Sequence, residues 1–124
     1  MASPEYQLQK TCITWFRFQY PRLRMALFAI PNSNDMSALN RSKAAQVMGK
    51  LKCSGLVPGV ADLFFAVPSS GRHGLFIEMK APRGRQSVSQ KEFEKAALQN
   101  GYGYTIVDNF EQFQETIEEY LEND

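Results

Sequence analysis

At 124 residues the chain amounts to one domain, which excludes multidomain machinery. Its 44% apolar and 12% aromatic content is that of a globular protein, and no run reaches the ~20 apolar residues that span a bilayer. The formal net charge of +1 conceals an asymmetry, because residues 1–95 carry all 14 Lys and Arg against 6 acids while residues 96–124 carry 7 acids and no base.

Ser3-Pro4-Glu5 reads as a helix start, and Leu8, Cys12, Trp15 and Phe16 follow at helical spacing until Pro21. The spacing predicts a first helix over about 4–19. Arg24 to Ile30 is a short apolar run closed by Pro31-Asn32, read as a strand buried on both faces. Residues 37–53 return to helical spacing through Leu39, Ala44, Val47, Met48 and Leu51, and Gly55, Pro58 and Gly59 then mark a loop. Asp62–Val67 and Leu75–Ala81 are two more strands, joined by a Pro-, Ser- and Gly-rich connection that suits an antiparallel hairpin. Pro82 stops the second, and Ser87 with Gln90 or Ser89 with Glu92 offers a capping box for a third helix ending near Asn100-Gly101. Tyr102–Val107 is a further strand. Asn109 caps a last helix whose Phe110, Phe113, Ile117, Tyr120 and Leu121 form one stripe. The order αβαββαβα predicts an α/β fold, a central four-stranded mixed sheet flanked by helices, within one domain over 1–124.

Cys12 and Cys53 lack CxxC spacing, so neither a disulfide framework nor a zinc site is expected, and both are read as reduced, buried residues. The N-terminus lacks a basic segment followed by an apolar run, so a cytoplasmic location without membrane contact is expected.

Chemistry concentrates on the hairpin. Asp62 opens one strand, while Glu78 and Lys80, two residues apart on the next, share a face. Three charges in an apolar sheet are costly to bury unless they pair or bind a metal. Two carboxylates and a backbone carbonyl are hard ligands suited to Mg²⁺ or Mn²⁺, and a nearby ammonium can orient water, as phosphodiester hydrolysis requires. The bland alternatives are a solvent-facing Glu–Lys pair or a structural salt bridge.

Pro58-Gly59-Val60-Ala61-Asp62-Leu63, then Phe76-Ile77-Glu78-Met79-Lys80-Ala81, then Gln90 with Leu98 and Gly101-Tyr102, resemble the VRR-NUC family of the PD-(D/E)XK nuclease superfamily. The similarity runs from Glu5 and Pro31-Asn32 to Ile106-Val107. It implies a restriction-endonuclease-like core with Asp62, Glu78 and the Met79 carbonyl as metal ligands. It further implies Lys80 as the catalytic lysine, Gln90 as a supporting helix glutamine and Glu5 as the first-helix acid. Ala61 stands where the superfamily has proline, a backbone-shaping position that does not ligate. Short family members resemble phage or virus enzymes that act as homodimers on four-way DNA junctions. The resemblance therefore implies a Mg²⁺- or Mn²⁺-dependent Holliday junction resolvase without a small-molecule cofactor. A flap- or duplex-cutting nuclease and a non-catalytic DNA-binding protein on the same fold are the alternatives.

A twofold pair of sites would make the two symmetric cuts that junction resolution needs. Trp15, Phe16, Phe18 and Tyr20 make the first helix a candidate interface, unless they simply pack on the sheet. Asn32, Lys43, Arg83 and Arg85 are candidate DNA contacts, each with a bland reading as a turn cap or solvated cation. His73, the single histidine, is expected to be a solvated turn residue.

Overall fold

The structure, a computed structural model, describes residues 3–31 and 39–123. Helix α1 (Pro4–Gln19) starts where the Ser3 hydroxyl accepts the Tyr6 N–H, with Pro4 in the first turn, and it gives way at Pro21 to a 3-10 helix, Pro21–Ala26. Strand β1 (Leu27–Ala29) follows and is shorter than expected. It is also not buried on both faces, since Leu27 is buried while Phe28 is 46% exposed. The physical reason is position: β1 is the edge of the sheet, and the 3-10 helix that begins at Pro21 takes up the first residues of the expected strand.

Helix α2 (Arg41–Cys53) is capped by Asn40, whose Oδ1 accepts the Lys43 N–H at 2.8 Å. The expected start at 37 falls outside the described residues. No residue of α2 is buried, and Cys53 is exposed, which corrects the expectation that both cysteines lie inside; Cys12 does, at 0% exposure.

Strands β2 (Leu63–Phe65) and β3 (Leu75–Met79) form the expected antiparallel hairpin, in register Leu63↔Ile77, and β1 pairs antiparallel with β2. Helix α3 (Val88–Gln99) crosses to β4 (Gly103–Val107), which pairs parallel with β3. The four-stranded mixed sheet has the order β1-β2-β3-β4, and α4 (Phe110–Glu122) ends the fold behind its Asn109 cap.

Alternation along the strands sorts the sheet into two faces. Leu27, Leu63, Phe65, Ile77, Met79 and Val107 meet Cys12 and Phe16 of α1 and Phe113 and Ile117 of α4 in one apolar core. Of the α1 aromatics, Phe16 is fully buried, Trp15 and Tyr20 pack against this core, and Phe18 stays 89% exposed. Tyr120 donates its hydroxyl hydrogen to the Val67 carbonyl at 2.6 Å, and Ser69 donates to the Tyr120 carbonyl, so α4 is tied to the hairpin. The opposite face is covered by α3, which seats Phe93 edge-on against Phe76. Among the described residues no helix is long and apolar enough to cross a membrane.

Candidate active site

Asp62 and Glu78 lie at the end of the β2–β3 pair, on the α3 side of the sheet. Extending the register Leu63↔Ile77 by one residue sets Asp62 opposite Glu78, and opposed residues share a face. The backbone is pinned on both sides: the Ile30 N–H donates to the Asp62 carbonyl at 2.8 Å and the Lys80 N–H to the Val107 carbonyl at 2.9 Å. Asp62 Oδ2 in turn accepts the buried Met79 N–H at 2.7 Å.

Glu78 is 2% exposed, and its Oε1 has no hydrogen-bond partner among the described residues. Burial above all, then the Asp62 carboxylate, pushes the Glu78 carboxyl up to about 9, with Lys80 opposing the shift and Glu5 adding to it. Burial and the facing Asp62 carboxylate thus favour the protonated form of Glu78, in which the two carboxyl groups can share a hydrogen bond.

Gln90 organises the remainder. Its Oε1 accepts both the Ser87 N–H and the Lys80 ammonium at 2.8 Å, and its Nε2 donates to Glu78 Oε2 at 3.0 Å. Of the two capping boxes the sequence allows, the one formed is Ser87 with Gln90, so the residue that caps α3 also bridges the lysine and the acid. Lys80 Nζ stands 3.9 Å from Glu78 Oε2, held beside it through the amide rather than by direct hydrogen bonding. This makes glutamine a chemical requirement: Gln90→Glu keeps the cap but replaces the donor facing Glu78 Oε2 with an acceptor. Activity should fall about 10- to 100-fold with the α3 helix intact by circular dichroism.

Gly59 makes this approach possible. Its φ is +85°, and a Cβ there would stand 2.3 Å from the Ser89 carbonyl carbon and oxygen. The loop before Asp62 thus rests directly on the start of α3. Gly59→Ala should cost at least about 2 kcal/mol in urea unfolding, through both the clash and the positive φ.

Glu5 reaches the site's edge, its Oε1 accepting the Ala81 N–H at 3.4 Å. The Met79 side chain points into the core on the other face. Arg83 and Arg85 are exposed on the loop that follows, where the Gly84 N–H closes a turn on the Ala81 carbonyl and Arg83 adopts φ 68°. Lys43 is exposed on α2, and Asn32 lies outside the described residues. His73 is exposed in the β2–β3 connection, away from the acids, with its ring against Tyr102. Tyr104 was not among the sequence-derived candidates. Burial, offset by a hydrogen bond from Gln86 and reinforced by Glu78, Glu94 and Asp62, raises its phenol to about 12, and it shares the acids' face of the sheet on β4. Only the parallel register Phe76↔Tyr104 reveals that position.

Among the described residues no three His, Cys, Asp or Glu side chains gather as a metal cluster. The donor set is instead two carboxylates, one with an orphaned oxygen, and it suits a hard cation completed by backbone carbonyl and water.

Paired acids and an amide-held lysine at the end of a hairpin in a four-stranded mixed sheet define a restriction-endonuclease-like α/β protein. The VRR-NUC domain profile matches residues 3–108, and the chain belongs to the VRR-NUC family, a nuclease family. A solved structure described as a VRR_NUC domain protein has the same fold, with a TM-score of 0.79 at 20% identity, covering 99% of this chain and 92% of that one. No curated protein matches the chain significantly.

Proposed function

We propose that the protein is a structure-specific endodeoxyribonuclease dependent on Mg²⁺ or Mn²⁺, acting on branched DNA with four-way junctions as its first substrate. The observation that carries the reading is the buried Asp62–Glu78 pair, with Glu78 Oε1 unpartnered and Lys80 held at its side by Gln90. A structural salt bridge pairs an acid with a base and does not require a second buried acid facing the first.

Asp62, Glu78 and the Met79 carbonyl would hold the cation, which when bound supplies Lewis-acid stabilisation of the phosphate's developing charge. Gln90 presents the Lys80 ammonium toward the same space. There Lys80 orients the attacking water and offsets negative charge as the new P–O bond forms and the ester P–O bond breaks. One strand end leaves as an alcohol and the other as a phosphate monoester. Glu5, anchored to the Ala81 N–H, positions the segment after Lys80. Arg83, Arg85, Lys43 and Asn32 would contact backbone phosphates, recognising shape rather than base sequence.

The partner would be a second copy of the chain. Tyr6, Trp15 and Phe18 of α1 line an open apolar groove of about 700 Å³ with Phe110, which offers a surface for that pairing. The test is cleavage of labelled four-way, flap, nicked and linear duplex DNA in Mg²⁺, Mn²⁺ or EDTA, alongside solution mass. A dimer that cuts junctions in either metal and is silent in EDTA supports the proposal. Preferential cutting of flaps or duplex redirects the substrate, and no cutting at all leaves a DNA-binding protein.

A further inference from the structure

One row below the acids, the same face of the sheet is entirely aromatic. The register aligns Phe28↔Phe64, Phe64↔Phe76 and Phe76↔Tyr104 across all four strands. Phe64 follows Asp62 by two positions and Phe76 precedes Glu78 by two, so the row runs about 7 Å from the acids. None of these four rings is fully buried. Gly74 leaves room for the Phe64 ring, since a Cβ there would stand 2.6 Å from its Cζ. Beyond Phe76 the row opens into a solvent-open cleft of about 540 Å³ between β3 and α3, lined by Phe76, Phe93 and Tyr102 with His73 and Asn100 at its polar edge.

We propose that this cleft holds an unpaired DNA base, extracted at the branch point of the strand whose phosphate lies at Asp62 and Glu78. The inference rests on the nuclease reading and gives it a means of selecting structure. Three features point to a nucleobase. The walls are aromatic rings, a side-chain type that stacks on any base. The edge holds hydrogen-bonding groups: Asn100 donates through Nδ2 to the Ala96 carbonyl at 2.9 Å, leaving its amide oxygen to accept from a base amino group. Arg72 donates to the Tyr102 carbonyl at 3.3 Å, which sets a guanidinium beside the cleft for the neighbouring phosphate. Counted along β3 from Phe76 to His73, the cleft lies about 7 to 17 Å from Glu78, or about two to five nucleotides of duplex rise. Extraction costs least where a base is already poorly stacked, so a branch would be favoured over linear duplex.

The experiment uses four-way junctions carrying 2-aminopurine at successive positions from the branch, mixed with the full-length protein in EDTA. Fluorescence should be quenched at one position within that span. Tyr102→Leu and His73→Ala should abolish the quench and weaken junction binding about 5- to 30-fold, and Tyr102→Trp should restore both. Binding without quenching at any position overturns the inference, as does a Tyr102→Leu protein that quenches like the wild type. Failure of the two readings is separable: junction cutting in Mg²⁺ without any quench sinks the base cleft alone. A quench in a protein that never cuts supports the cleft and sinks the nuclease.

Discussion

Asp62→Asn should reduce DNA cleavage about 10³-fold or more while leaving the fold and junction binding close to wild type. The asparagine keeps an oxygen to accept the Met79 N–H, which Asp62 Oδ2 now takes at 2.7 Å, so no buried donor is orphaned. Alanine would orphan it, at a cost of about 1–3 kcal/mol, and would confuse loss of chemistry with loss of structure. What asparagine removes is the charge, and with it one of the two carboxylates able to bind a hard cation. Cleavage of a labelled four-way junction, with melting temperature and binding measured on the same preparation, checks the expectation. Near-wild-type cutting by a folded Asp62→Asn protein would remove Asp62 from the chemistry.

Glu78→Gln should do the opposite to stability: in EDTA the variant should be more stable than the wild type by on the order of 1–3 kcal/mol at pH 8, about 5 °C in melting temperature. The folded Glu78 carboxyl is raised to about 9, above its ordinary value of 4.5. Below pH 4.5 both folded and unfolded chains hold the proton and the group costs nothing. As pH rises from 4.5 toward 9 the unfolded state ionises first, so the wild type loses stability across that window and levels off above it. Glutamine does not titrate, and its amide can donate to Asp62 where the acid needs a proton to do so. The stability difference should therefore grow from nearly zero at pH 4.5 to its maximum by pH 9, while cleavage by the variant is lost. A flat difference across that range would contradict the burial argument.

The hairpin that carries the acids was legible because local rules converge on it. Pro68 to Gly74 breaks two apolar runs, and i, i+2 spacing alone sets Glu78 and Lys80 on one face. Ser87-Gln90 was legible as a capping box, but its second task was not, because the bond from Gln90 to Lys80 spans an intervening turn. Helical periodicity misled at α2, where Val47, Met48 and Leu51 repeat as a stripe that ends up only partly buried and Cys53 is left in solvent. At 24–30 a strand-like apolar run was overruled by Pro21, whose 3-10 helix extends to Ala26. The place of Tyr104 at the end of the aromatic row depends on the parallel register between β3 and β4, which joins residues distant in the chain, and no local pattern encodes it.

A metal-dependent nuclease requires that Asp62 and Glu78 bind one divalent cation together. Titration of the full-length protein with Mn²⁺, following the free-ion signal by electron paramagnetic resonance, tests that most directly. The wild type should show a binding site that disappears both in Asp62→Asn and in Glu78→Gln. Unchanged Mn²⁺ uptake by either folded variant would contradict it.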